Sequence, residues 1–240
     1  MGYKKLSVGA DRFLALKWAN YAFELFQTQG DQDSLYQSLR TYLDSEIEGE
    51  ETSRKTSNHL KRLWLTQEDP YKPLRLKTLS LPFYKYPEFL PILHLGLAIN
   101  VFPIYRETTK TIGLLDRVID PIPKQSVVER VLERFGNTSS IPRAVSRVLQ
   151  TLEDWHLIQS QDTYLKIVSY DVDDRMIADW LLTALVILYK PLGIAVSDLP
   201  LTPEKLGIKL PNPREIIQKS TEVNITRDLQ GLEIITIKGL

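Results

Sequence analysis

Residues 124–172 read KQSVVERVLERFGNTSSIPRAVSRVLQTLEDWHLIQSQDTYLKIVSYDV, and their pattern decides the fold. A first helix spans 126–135. Val127, Val128, Val131, Leu132 and Phe135 form one apolar face, with Glu129, Arg130, Glu133 and Arg134 elsewhere. Ser126 reads as its N-cap. Gly136 and Asn137, which both tolerate the left-handed conformation, end it. A second helix starts near Ser140 with Pro142 in its first turn, where a missing N–H costs nothing. Ile141, Val145, Val148, Leu149 and Leu152 make its core face. Trp155, Leu157 and Ile158 close that core. Residues 159–163 read as a turn between two strands, the second alternating over 164–170. Helix, turn, helix and β-ribbon in this order predict a winged helix-turn-helix, a module that most often docks on DNA.

The polar side of the second helix carries the functional reading. Arg143, Ser146, Arg147 and Gln150 fall at i, i+3, i+4 and i+7, one stripe with two fixed positive charges. Such a stripe reaches base edges and phosphates in a major groove, where Arg grips guanine and Gln grips adenine bidentately. Ser139 and Ser140 stand at the helix N-terminus, where hydroxyls and free N–H groups suit a phosphate. Lys166 is the expected phosphate contact of the wing. Two alternatives stay open: a winged helix that binds protein, and a hairpin whose polar side simply faces water. The acids Glu129, Glu133, Glu153 and Asp154 count against DNA.

Outward from this stretch, the first 65 residues read as helical from residue 10 onward. Phe13, Leu14, Leu16, Trp18, Tyr21, Ala22, Leu25 and Phe26 recur at helical spacing, and Gly30 stops that helix. Leu35, Leu39, Tyr42 and Leu43 mark a second helix, and residues 56–65 a third. Charge is segregated here: 31–51 is strongly acidic and 54–85 strongly basic. These read as two solvated faces that neutralise one another. The sharper alternative is a phosphate-contacting patch over 54–77, interleaved with Trp64 and Tyr71, in which Arg54, Lys55, Lys61 and Arg62 extend the footprint. Five prolines between 69 and 91 predict an irregular connector. Helices follow over 89–100 and 107–119, with Pro103 bending or ending the first. Past the wing come an apolar helix over 173–189, a Pro-rich loop over 197–213, a short helix over 214–220 and a β-hairpin over 222–238.

Composition bounds the rest. Lys+Arg and Asp+Glu are both 30 in a chain of 240 residues, so a coat of bulk positive charge is excluded, though a basic face is not. No cysteine is present, which rules out disulfides, thiolate metal sites and cysteine nucleophiles and fits a reducing cytosol. The first residues lack the pattern of a secretory signal, and the cytoplasm is the expected compartment. The apolar runs 89–105 and 176–189 read as buried core helices, not spans, so no membrane partner is expected. His59, His94 and His156 are scattered, and His94 reads as a satisfied core histidine. Asp171, Asp173 and Asp174 suit a helix dipole better than a metal. No phosphate-binding loop, dinucleotide fingerprint, nucleophile elbow or zinc motif occurs, so the chain reads as non-enzymatic, without metal or cofactor.

The run LHLGLAINVFPIYRETTKTIGLL, followed by SVVERVLERFGNTSSIPRAVSRVLQTLEDWHLI, resembles small accessory proteins of bacterial phage-defence systems, in particular the BREX accessory protein BrxA and its relatives. Leu152, Asp154, Trp155 and Leu157 match the end of that family's helix-turn-helix, with His156 where the pattern has Gly. The layout of the basic element SRKTSNHLKRLWL is also similar. The likeness is at the level of pattern and covers about 120 residues. It implies a non-enzymatic, DNA-binding accessory role and leaves the Pro-rich segment and the C-terminal hairpin unaccounted for. The expected architecture is therefore mainly α: a helical N-terminal domain (1–80), a helical lead-in with the winged helix-turn-helix (81–172), and a C-terminal helix, Pro-rich loop and hairpin (173–240). The expected partner is double-stranded DNA, held by residues 140–152 and the wing. The alternative is an adaptor subunit that uses the winged helix to join protein partners in a larger defence or nucleic-acid-processing complex.

Overall fold

A computed structural model of the chain describes residues 9–81, 87–136 and 138–239. The fold is mainly α-helical with three small sheets among those residues. Its centre is α5 (Leu90–Val101), in which every residue from Pro91 to Asn100 is buried. A helix apolar all round must be enclosed on every side, and the chain supplies three neighbours. The N-terminal layer is α1 (Leu16–Gln27), α2 (Gln32–Glu46) and α3 (Glu50–Leu60), continued by a π-helical turn at Lys61–Leu65. On a second side lies α9 (Arg175–Leu188). A Cβ on Gly96 of α5 would fall 2.6 Å from the Trp180 ring of α9, so only glycine permits this approach. Asn100 Nδ2 then bridges the pair, donating to the carbonyls of Gly96 and Ala184. The third neighbour is α6 (Pro103–Leu115), which leaves α5 at a bend of 114°. Phe102 is extended because a residue before proline is driven from the α region, and that breaks the helix.

From α6 onward the elements follow in the order read from residues 124–172: helix, turn, helix and antiparallel ribbon. After α6 come β1 (Ile122–Pro123), α7 (Lys124–Phe135), α8 (Ser140–Asp154), β2 (Ile158–Gln161) and β3 (Tyr164–Ile167). The strands form an antiparallel sheet in the order β1-β3-β2, with Ile122 opposite Leu165 and Ser160 opposite Leu165 on the other side. All five expected core residues of α8 are buried, together with Trp155, Leu157 and Ile158. One buried apolar cluster runs from Ala10 to Ile235 and crosses the boundaries expected at residues 80 and 172. The C-terminal hairpin is present as β7 (Val223–Arg227) and β8 (Glu233–Ile237), with β5 (Ile194–Ala195) added to its edge. β4 (Tyr170–Asp171) pairs in parallel with β6 (Ile208–Lys209), outside the wing.

Several boundaries differ from the sequence reading, each for a local reason. The chain is not helical from residue 10: it runs without regular structure to Ala15, where the Leu14 N–H is taken by Thr151 Oγ1 of α8, and the free first-turn N–H of Leu16 is taken by Asp154 Oδ2. α7 starts two residues before Ser126, after Pro123, and no side chain caps it. Gly136 ends it at φ 80°, while Asn137 lies outside the described residues. The wing turn is only Asp162 and Thr163. The proline-rich connector holds α4 (Lys72–Lys77) with Pro73 in its first turn, where proline is tolerated; Lys85 and Pro82 lie outside the described residues. Asp174 caps α9, accepting from the N–H of Met176 and Ile177, which accounts for one of the three clustered acids. Among the described residues no single helix is long and apolar enough to cross a membrane.

Candidate nucleic-acid interface

Burial of Ile141, Val145, Val148 and Leu152 rotates the opposite side of α8 to the surface. Arg143, Ser146, Arg147 and Gln150 are all exposed there. Arg147 Nη1 donates to Gln150 Oε1 at 2.8 Å, one helical turn apart. Neither Arg143 nor Arg147 forms an ion pair with any described residue. Ser139 and Ser140 are exposed at the start of the same helix, and no side chain caps it. Lys166 is exposed on the wing with Asp120 Oδ1 at 3.7 Å. The two acids at the far end of α8 are engaged by the main chain. Glu153 Oε1 accepts from the N–H of Ser160 on the edge strand β2, and Asp154 from that of Leu16.

The basic element of the N-terminal layer does not join this stripe as free charge. Arg54 and Lys55 both pair with Glu51, at 2.7 and 3.0 Å. Lys61 Nζ sits 4.6 Å from the centre of the Tyr36 ring. Arg62 donates to the Gly9 carbonyl and covers the Phe102 ring. Trp64 is fully buried, its Nε1–H donating to His94 Nδ1. Arg75, 1% exposed, donates to the carbonyls of Arg62, Leu63 and Thr66 and grips Asp69 with both terminal nitrogens. Lys77 pairs with Asp179 of α9 at 2.7 Å. The positive run over 54–77 is therefore mostly engaged within the chain: Arg54 and Lys55 by surface pairs with Glu51, and Arg75 by the carbonyls around the π-helical turn.

What the sequence reading missed is the company of Arg143 and Arg147. The segment before α1 is fastened to α8 at Leu14. This brings Arg12, Phe13 and, at the start of α1, Trp18 beside the two arginines. With Ile47, Thr52 and Thr56 these line a cleft of about 350 Å³. Phe13 and Trp18 meet edge to face at 5.6 Å. A second, shallow depression of about 330 Å³ lies between Phe13 and Gln150, Glu153 and Asp154. The helical period over 13–26 assigns Phe13 and Trp18 to a core stripe; the signal against it is Arg12, a charge directly beside the first of these rings. Among the described residues no group of three or more histidine, aspartate or glutamate side chains is placed to hold a metal.

Compared with protein-family models, with curated proteins and with solved structures, the chain finds no match.

Proposed function

We propose that the chain is a non-enzymatic DNA-binding accessory or regulatory protein. It seats α8 in the major groove of a duplex with the β2–β3 ribbon beside it. The observation that carries this reading is the acid-free pair Arg143 and Arg147, exposed on a helix whose other face is core. In a chain of zero net charge, two unpaired guanidinium groups on one helix are positive potential left over from folding. Ser146 and Gln150 add hydrogen-bonding groups suited to base edges. Ser139, Ser140 and Lys166 supply phosphate contacts at the two ends of the footprint. The phage-defence role rests on the sequence resemblance to the BrxA group.

The test is fluorescence anisotropy with a labelled random duplex at two salt concentrations. Binding should weaken linearly in log–log form as salt rises, and Arg147→Ala should weaken it by about 10-fold, the worth of one good groove contact. Absence of duplex binding at low salt, with stable capture of a protein partner, would turn the reading to the adaptor.

A further inference from the structure

The cleft beside α8 has a composition that a duplex reader does not require. Arg143 and Arg147 stand one turn apart on one wall. Arg12 comes from the segment before α1 on the other, its Nη1 turned to Asp11 and its Nε buried without a partner. Phe13 and Trp18 supply apolar rings, and Thr52 an exposed hydroxyl. Trp18 Nε1 is directed at Glu46, 3.4 Å away, and Glu46 is neutralised by its ion pair with Lys17. A volume of about 350 Å³ falls at the small end of small-molecule sites, the size of one nucleotide and not of a helix.

We propose that this cleft takes a single unpaired nucleotide, its phosphate on Arg143 and Arg147 and its base against Trp18 and Phe13. Guanidinium forks hold phosphate oxygens bidentately. An aromatic platform beside them accepts any base, because every base has a π-face. Arg147 keeps donors for this after giving one to Gln150, since a guanidinium carries five. The inference rests on the reading of α8 as a nucleic-acid-binding helix and reassigns two of its contacts: where the substrate has an unpaired nucleotide or a single-stranded flank, Arg143 and Arg147 turn to that phosphate, and Ser146 and Gln150 remain for base edges. The fixed wall makes the pocket ready before the ligand arrives. Leu14 behind it is fully buried and bonded to Thr151 and Trp155, so no loop has to close.

The experiment uses the full chain with thymidine 5′-monophosphate, labelled (dT)8, poly-glutamate and a random duplex. Trp64, Trp155 and Trp180 are fully buried, so a ligand in the cleft quenches Trp18 above all. Thymidine 5′-monophosphate and (dT)8 should quench that emission, and poly-glutamate should not. Thr52→Phe fills the cleft without changing charge. It should weaken (dT)8 by about 10-fold or more, the scale of one lost base stack, and leave duplex affinity alone. Two results overturn the proposal: (dT)8 affinity unchanged in Thr52→Phe, or quenching by poly-glutamate as strong as by (dT)8. If the duplex binds and responds to Gln150→Ala while (dT)8 never quenches Trp18, the nucleotide cleft is rejected and the duplex reading stands.

Discussion

The Trp155 indole N–H donates to the main-chain oxygen of Leu14, 2.9 Å away and 141 residues earlier in the chain. Two more bonds repeat the connection: Leu14 N–H to Thr151 Oγ1 and Leu16 N–H to Asp154 Oδ2. The last turn of α8 is thereby tied to the residues that introduce α1. The polar stripe, one to two turns earlier on the same helix, is held at a fixed distance from Arg12, Phe13 and Trp18. A helix on a hinged winged module would present the same residues with no second wall.

That tie should be measurable in stability. Thr151 is fully buried, so Thr151→Val preserves shape and leaves the Leu14 N–H without an acceptor. The expected loss is about 1–3 kcal/mol, the cost of a buried unsatisfied donor. Urea unfolding should show a lower midpoint at unchanged slope. A midpoint equal to that of the parent chain would mean that the Thr151 bond adds nothing to the tie and that Trp155, Asp154 and apolar burial hold the segment.

Arg75 gives a larger effect. Its five bonds close three carbonyls around the π-helical turn and pair it with Asp69. Arg75→Met removes the charge and leaves those carbonyls without donors, while Asp69 keeps only the Tyr71 N–H and solvent; the loss is about 3 kcal/mol, the low end of the scale for broken buried pairs. Arg75→Lys should recover little, because an ammonium cannot reproduce the planar fork. Thermal unfolding of both variants checks this; full rescue by lysine would show that charge alone suffices.

His94 sets an acid limit. Its Nδ1 accepts from Trp64, its Nε2 donates to Asn20 Oδ1 at 2.8 Å, and complete burial holds its pKa down at about 3. The unfolded chain protonates this ring near pH 6.5. Between those values the unfolded state binds the extra proton, so the His94 contribution is complete above pH 6.5 and is lost as pH falls. The slope is about 1.4 kcal/mol per pH unit. Unfolding free energies at stepped pH should decline less steeply in His94→Gln than in the parent. Parallel declines would assign acid sensitivity to the carboxylates instead.

The order of elements over 124–167, two helices and then a hairpin, was the legible part of the chain because its signals are local. The apolar faces of α7 and α8, Gly136 and the hairpin strands all follow from spacing within 50 residues. His94 was legible as a core histidine for the same reason, since α5 is apolar on every side. The cleft was not legible, because it depends on bonds across some 140 positions that fasten the segment before α1 to α8. Nor was the fate of the basic run. Arg75 and a surface cation look alike in sequence, and only the open carbonyls of Arg62, Leu63 and Thr66 tell them apart.

The wing offers a test of how the footprint is charged. Lys166 is the one candidate phosphate contact on the ribbon, and Asp120 lies 3.7 Å from it on the loop before β1. Both side chains are more than half exposed, so the pair contributes little to stability. Lys166→Ala should leave unfolding unchanged and flatten the salt dependence of duplex binding by about 0.9 in log–log slope, the value of one phosphate contact. Asp120→Asn frees the ammonium and should tighten binding at low salt, an effect that fades as salt screens the charge. The two changes have opposite signs if Lys166 meets a phosphate. Equal slopes in all three proteins would place the ribbon outside the footprint and leave α8 to account for the whole interaction.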